Sequence, residues 1–178
     1  MMPAFHHQHL KTYVQDMVAI TQEDLDDLEV GTTCDIAAVM RQVTLRIATK
    51  SLFGEDIGKE GGGTGAIIHE ALELQVSALM KLLRYDVPGL PWHQYLNLAA
   101  RYETEMRALI EAKKKRGDND PDVLSMLMQV QDEETLTGLS EDELLGHVGV
   151  LFVAGHETSG NALTWTLFLL SQHPEILA

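Results

Sequence analysis

The stretch from Ser140 to His173 limits the fold more than any other, because it reads as one helix with both ends marked. Ser140 can cap it, Glu143 three residues on completes a capping box, and Leu139 can staple against Leu144. Pro174 cannot continue a helix and pushes His173 out of helical geometry, so the pattern stops there. At about 1.5 Å per residue the rod is on the order of 48 Å long. A chain of 178 residues that carries such a rod must arrange its other helices around it.

The rod's apolar stripe, Leu144, Val148, Leu151, Phe152, Leu163, Leu167 and Leu170, keeps helical spacing. Its centre does not. Gly155, Thr158, Ser159, Gly160 and Asn161 are weak helix formers, and the hydroxyls of Thr158 and Ser159 can bond back to the carbonyls of Ala154 and Gly155. A kink is expected near Thr158. Val150 to Val153 are apolar all round, which predicts burial and makes the neighbouring Glu157 costly without a partner or a task. Gly155 and Ser159 are assigned to the packing stripe. Leu151, Ala154 and Thr158, at i, i+3 and i+7, form a second face. Small residues at 154 and 155 admit a flat group close to the backbone, and Thr158 beside Glu157 makes a pair able to relay protons. The competing reading is that Gly155 and Ser159 serve helix packing alone and that Glu157 reaches solvent.

Composition narrows the class. A 45% hydrophobic and 22% charged chain is globular, and a net charge of -14 disfavours nucleic acid or an anionic membrane. The acids cluster in Glu23 to Glu29, Asp132 to Glu134 and Glu141 to Glu143, read as solvated helix ends and loops. One cysteine, Cys34, excludes an internal disulfide and is read as a small, partly buried residue. The apolar runs are short and broken by charge, so no membrane span is expected and the protein is read as soluble and cytoplasmic.

The opening Met1-Met2-Pro3-Ala4-Phe5 is apolar and reads as a cut edge. A first helix runs through Leu10 to Leu28 with Gly31 as a stop. Asp35 caps a second, which ends near Gly54. Gly58 to Gly65 is a flexible linker rather than a phosphate cradle, as no strand precedes it and no Gly-Lys-Ser/Thr follows. A third helix runs from Ile67 to Leu83, Pro88 to Pro91 turns the chain, and a fourth ends at Lys113-Lys114-Lys115-Arg116-Gly117. Asp120 as cap and Pro121 open a short fifth helix through Val130. The class is mainly α, an orthogonal or bundle-like array with one long kinked helix.

Familiar chemistry is absent from the centre of the rod. A zinc-protease pattern needs histidine at 160, which is glycine, and a Gly-x-Ser-x-Gly elbow needs glycine at 157, which is glutamate. The remaining histidines, including His6, His7 and His9, have no ligand spacing and are read as surface residues, so no metal ligand is assigned. Ala154-Gly155-His156-Glu157-Thr158-Ser159, however, resembles the distal-helix motif of the cytochrome P-450 family, small-Gly-x-acid-Thr-Thr/Ser. Ala162-Leu163-Thr164-Trp165 and His173-Pro174-Glu175 resemble its continuation, and Pro3-Ala4-Phe5, Leu52-Phe53-Gly54 and Asp122 to Leu127 match in the same order.

The resemblance implies that residues 1–178 are one partial domain from the central part of that fold, with both ends truncated. It makes Glu157 and Thr158 the acid–alcohol pair passing protons toward dioxygen. Ala154 and Gly155 would line the haem face, and Leu151 and Val153 would stand where the family meets substrate. The implied activity is insertion of one oxygen atom into a small apolar organic substrate. It would use haem iron held by a cysteine thiolate, with electrons from a reductase or ferredoxin. The family's thiolate loop and Glu-x-x-Arg helix follow the equivalent of Ala178, and Cys34 aligns with an early helix instead. The chain alone is therefore expected to bind haem poorly and to be inactive. The alternative function is a non-enzymatic all-α ligand-binding or regulatory module.

Overall fold

A computed structural model describes residues 7–56, 66–67, 70–71, 74, 77–117, 120–131 and 138–177. Among them lie seven helices: α1 (His7–Asp26), α2 (Ile36–Phe53), α3 (Ala78–Leu82), α4 (Pro91–Arg116), α5 (Val123–Gln129), α6 (Glu141–Gln172) and α7 (Pro174–Leu177). The one strand-like feature among these residues is an isolated bridge between Gln131 and Gly138. The opening residues, the Gly58 to Gly65 linker and the Asp132 to Glu134 acids lie outside the described residues.

Local chemistry sets most helix ends. Asp35 accepts hydrogen bonds from the amides of Ala37 and Ala38, and α2 closes on Gly54 in the left-handed region at φ 76°. The long helix starts as expected, with Ser140 and Glu143 forming both halves of a capping box, and its end cap is His173. Three boundaries differ. The first helix ends at Asp26, short of Leu28. Ser77 is extended, at ψ 136°, and its side chain accepts from Met80 N, so the stretch expected as one helix from Ile67 to Leu83 restarts at Ala78. Asp122, not Asp120, caps α5, because its carboxylate reaches the amide of Ser125.

The core gathers Leu52 and Phe53 from α2, Met106 and Ile110 from α4, Val123, Leu124 and Leu127 from α5, and Leu144, Val148 and Phe152 from α6. Phe53 stacks on Phe152 with ring centroids 6.1 Å apart. Burying each such side chain stabilises by about 1.5–3 kcal/mol. Helix α2 packs chiefly on α6 and runs antiparallel to it, with Phe53 at Phe152 and Arg41 and Thr44 at Gly160. A Cβ on Gly160 would stand 3.0 Å from Thr44 Oγ1 and 3.4 Å from Arg41 Cα, so this crossing needs glycine.

The buried residues of α6 are Leu144, Val148, Phe152, His156 and Gly160, one row at steps of four. Such a row advances about 40° round the axis at each step, since four residues exceed one turn of 3.6. The expected straight stripe is corrected accordingly. Gly155 and Ser159 are exposed, and Val150 is 68% exposed although its neighbours are apolar. Leu163 and Leu167 are exposed too, alongside Trp165, Phe168 and Leu169. Helical pairing continues without interruption through Thr158.

Two charges sit inside this packing. Lys113 Nζ lies 2.6 Å from Asp122 Oδ2 and 3.2 Å from Ser125 Oγ, with both ion-pair side chains almost wholly buried. The Arg46 guanidinium is likewise buried and binds Asp56, Glu23 and Asp24. The Glu23 to Glu29 run is therefore more than a solvated helix end. Glu141 and Asp142 also have partners, pairing with Arg107, and Glu141 with Lys114. Cys34, expected to be partly buried, is exposed in the link between α1 and α2. No helix among the described residues is long and apolar enough to cross a membrane.

Candidate active site

The six residues Ala154 to Ser159 lie where the buried row of α6 has turned well away from its starting direction. By helical geometry Leu151, Ala154, Gly155 and Thr158 share roughly 100° of arc on the side opposite His156 and Gly160. Ala154, Gly155 and Thr158 are exposed, and Leu151 is half-buried against the edge of the core. A Cβ added at Gly155 would meet nothing within 4 Å. The result is a flat, open face of small residues two turns beyond the packed half of the helix.

Thr158 Oγ1 donates to the Ala154 carbonyl at 2.5 Å, the back-bond expected from sequence. The hydroxyl's hydrogen is thereby directed along the helix, leaving its oxygen lone pairs to accept from the open side. Glu157 flanks this face with its side chain 26% exposed, its Oε1 3.4 Å from His156 Nε2. Val153 falls about 160° round the axis from Gly155 and packs against the core, so it does not join Leu151 on the open face.

His156 was passed over by sequence reasoning, which treated the histidines outside a zinc pattern as surface residues. It is 2% exposed, with its ring 5.1 Å from that of Phe152. The signal was available: His156 follows Leu144, Val148 and Phe152 at the same four-residue step. No group of three or more metal-ligating side chains occurs among the described residues. A cleft of about 550 Å³ lies elsewhere, lined by Glu23, Asp24, Asp26, Asp27, Gln42 and Arg46, and its acidic wall suits no apolar substrate.

The open face fits one side of a flat macrocycle: among the described residues nothing lies within 4 Å of a Cβ at Gly155, Ala154 adds a methyl group, and Thr158 offers a hydroxyl. The chain belongs to the cytochrome P450 family, whose model matches residues 1–178. Two curated relatives come from Streptomyces melanosporofaciens. Cyclooctat-9-en-7-ol 5-monooxygenase is 27% identical over 98% of this chain and 39% of its own length. Cyclooctatin synthase is 28% identical over 97% of this chain and 38% of its own. Among solved structures, a retinoic acid-bound cyanobacterial CYP120A1 superposes with a TM-score of 0.83 at 24% identity, over 98% of this chain and 38% of that one. The heme domain of cytochrome P450DA gives 0.80 at 22% identity, which supports the fold alone. The chain thus spans about two fifths of the length of the curated relatives it matches. Family membership weighs against the alternative of a helical module unrelated to oxygen chemistry.

Proposed function

We propose that this chain supplies the distal wall of a haem-thiolate monooxygenase that inserts one oxygen atom from dioxygen into an apolar organic substrate. The observation that carries the reading is the open face of α6, where Gly155 leaves free space and Thr158 anchors its hydroxyl on Ala154. Haem, when bound, supplies the electron transfer and oxygen chemistry, with a cysteine thiolate as axial ligand favouring O–O cleavage. Cys34, exposed in the α1–α2 link, is not that ligand.

Ala154 and Gly155 hold the macrocycle face by standing clear of it, and the helix backbone gives it a rigid wall. Thr158 keeps a hydrogen-bond acceptor at a fixed point on that wall, where a water or protonated group can be oriented. Glu157, about a quarter exposed, exchanges protons with bulk water and hands them to the Thr158 side. Leu151 lines the substrate side of the same face, with Val153 behind it. Electrons come from a reductase or ferredoxin.

The test is Thr158→Ala in a haem-loaded enzyme that carries these residues. Release of hydrogen peroxide per reducing equivalent should rise ~10-fold or more as product falls, since proton transfer through a positioned group is worth about 10²–10⁴ in rate and Thr158→Ala removes the acceptor that orients it. Unchanged coupling would reject the role of this face.

A further inference from the structure

Side chains on a helix lean toward its N-terminus, so each covers the surface over the turn before it and meets those three and four residues back. Thr158 follows this rule by bonding back to Ala154. The residue that leans over Thr158 in its turn is Asn161, three places on in an unbroken helix and about 20° round the axis from Ala154. Asn161 is exposed, as Ala154 and Thr158 are, and its side-chain amide makes no hydrogen bond with another described residue. Ser159, also exposed, diverges from Thr158 by about 100° and does not face it. From this placement we infer that Asn161 is a positioning residue of the open face, holding a water between its amide and the Thr158 hydroxyl. The inference rests on the function proposed above and names the group that fixes a water there.

Donors and acceptors match for such a water. Thr158 Oγ1 commits its one hydrogen to the Ala154 carbonyl and keeps its lone pairs for the open side. A water can donate one hydrogen to that oxygen while accepting from Asn161 Nδ2, or while donating its other hydrogen to Asn161 Oδ1. Cβ atoms three residues apart on a helix stand about 5–6 Å from each other, a span that one water bridges. Leu151, Ala154, Gly155 and Ala162 on the same side offer no side-chain partner. An amide does not ionise at ordinary pH, so Asn161 orients the water and supplies no proton itself. Asparagine is also a weak helix former at a position where alanine or leucine would serve the helix better, so helix propensity does not account for it.

Leucine is close to asparagine in size and forms helix better, so Asn161→Leu removes the amide without weakening α6. In a haem-loaded enzyme carrying these residues, Asn161→Leu should lower kcat about 2- to 10-fold with KM unchanged and raise peroxide release by a similar factor, the range one neutral hydrogen bond supports. Asn161→Gln, which keeps the amide, should stay nearer wild type, and adding Asn161→Leu to Thr158→Ala should change nothing further. A second readout needs no turnover: a crystal structure of the enzyme should show one ordered water within about 3.2 Å of both Thr158 Oγ1 and the Asn161 amide, lost in Asn161→Leu. Should the leucine variant fail to fold, Asn161→Ala carries the same expectations. Equal behaviour of the glutamine and leucine variants, wild-type coupling in Asn161→Leu while Thr158→Ala uncouples, or the absence of that water would overturn the inference. If Thr158→Ala itself leaves coupling intact, the proposed function fails, and the bridging water alone then decides the inference.

Discussion

The sharpest stability test lies where α4 crosses α6. Tyr102 sets its hydroxyl over Gly149, and a Cβ added there would come 2.8 Å from that oxygen. Gly149→Ala should gain about 1 kcal/mol of helix propensity. Against this stands an overpacking cost of about 1–3 kcal/mol, as the phenol is a stiff, largely enclosed ring. The single variant is then between neutral and ~2 kcal/mol less stable. The Tyr102 hydroxyl is itself buried, with no hydrogen-bond partner among the described residues. Tyr102→Phe removes an unsatisfied group of the kind that costs about 1–3 kcal/mol, so it should be neutral or stabilising. In the double variant the Cβ faces ring carbon Cζ at 3.6 Å, an ordinary contact, and alanine's propensity gain is realised in full. The two substitutions should therefore couple favourably by about 1–3 kcal/mol. Gly146→Ala is the control, with nothing within 4 Å of its Cβ, and should stabilise by about 1 kcal/mol alone. Urea unfolding of the four proteins, followed by circular dichroism, measures the cycle. Additivity within about 0.5 kcal/mol would refute the claim that the phenol oxygen is what Gly149 accommodates.

Two further outcomes follow from buried ionisable groups. Lys113→Met leaves Asp122 buried without its cation and should cost about 3–5 kcal/mol, whereas Lys114→Met, an exposed pair, should cost under about 1 kcal/mol; equal effects in thermal unfolding would contradict the burial argument. Burial pushes the Tyr102 phenol up to about 12 from an ordinary 10.0. The folded state holds that proton more tightly, so its contribution is complete below pH ~10 and is lost as pH rises toward ~12. Tyr102→Phe should flatten this alkaline decline, and an unchanged pH–stability profile would show that the phenol is not responsible.

The sequence was most informative where local chemistry decides the outcome. The Ser140–Glu143 box, the Asp35 cap and the glycine after Phe53 act through neighbours a few residues away, and each appears where expected. It was least informative where a remote partner decides. Asp120 and Asp122 both stand before an apolar run, and the choice falls to Asp122 because Lys113 and Ser125 satisfy its carboxylate in the interior. Glu23 and Asp24 sit in an acidic run that reads as solvated until Arg46, two helical turns inside α2, is brought against it. On α6 the error was one of phase. A straight stripe carried past Phe152 puts Gly155 and Ser159 inside, whereas the four-residue row puts His156 and Gly160 there. The second face of Leu151, Ala154 and Thr158 was legible because three residues at 3.6-residue spacing suffice to define it.

That four-residue row also ties register to orientation. The first half of α6 is gripped by α2, α4 and α5, and the bare face begins only where the row has wound clear of it. One residue inserted between Gly149 and Leu151 would rotate everything beyond it by about 100° and advance it by about 1.5 Å. Gly155 would then occupy the buried place of His156, and Thr158 would swing away from the open side. The central span of α6 can exchange side chains one at a time far more readily than it can gain or lose a residue: its count is the most restricted property it has.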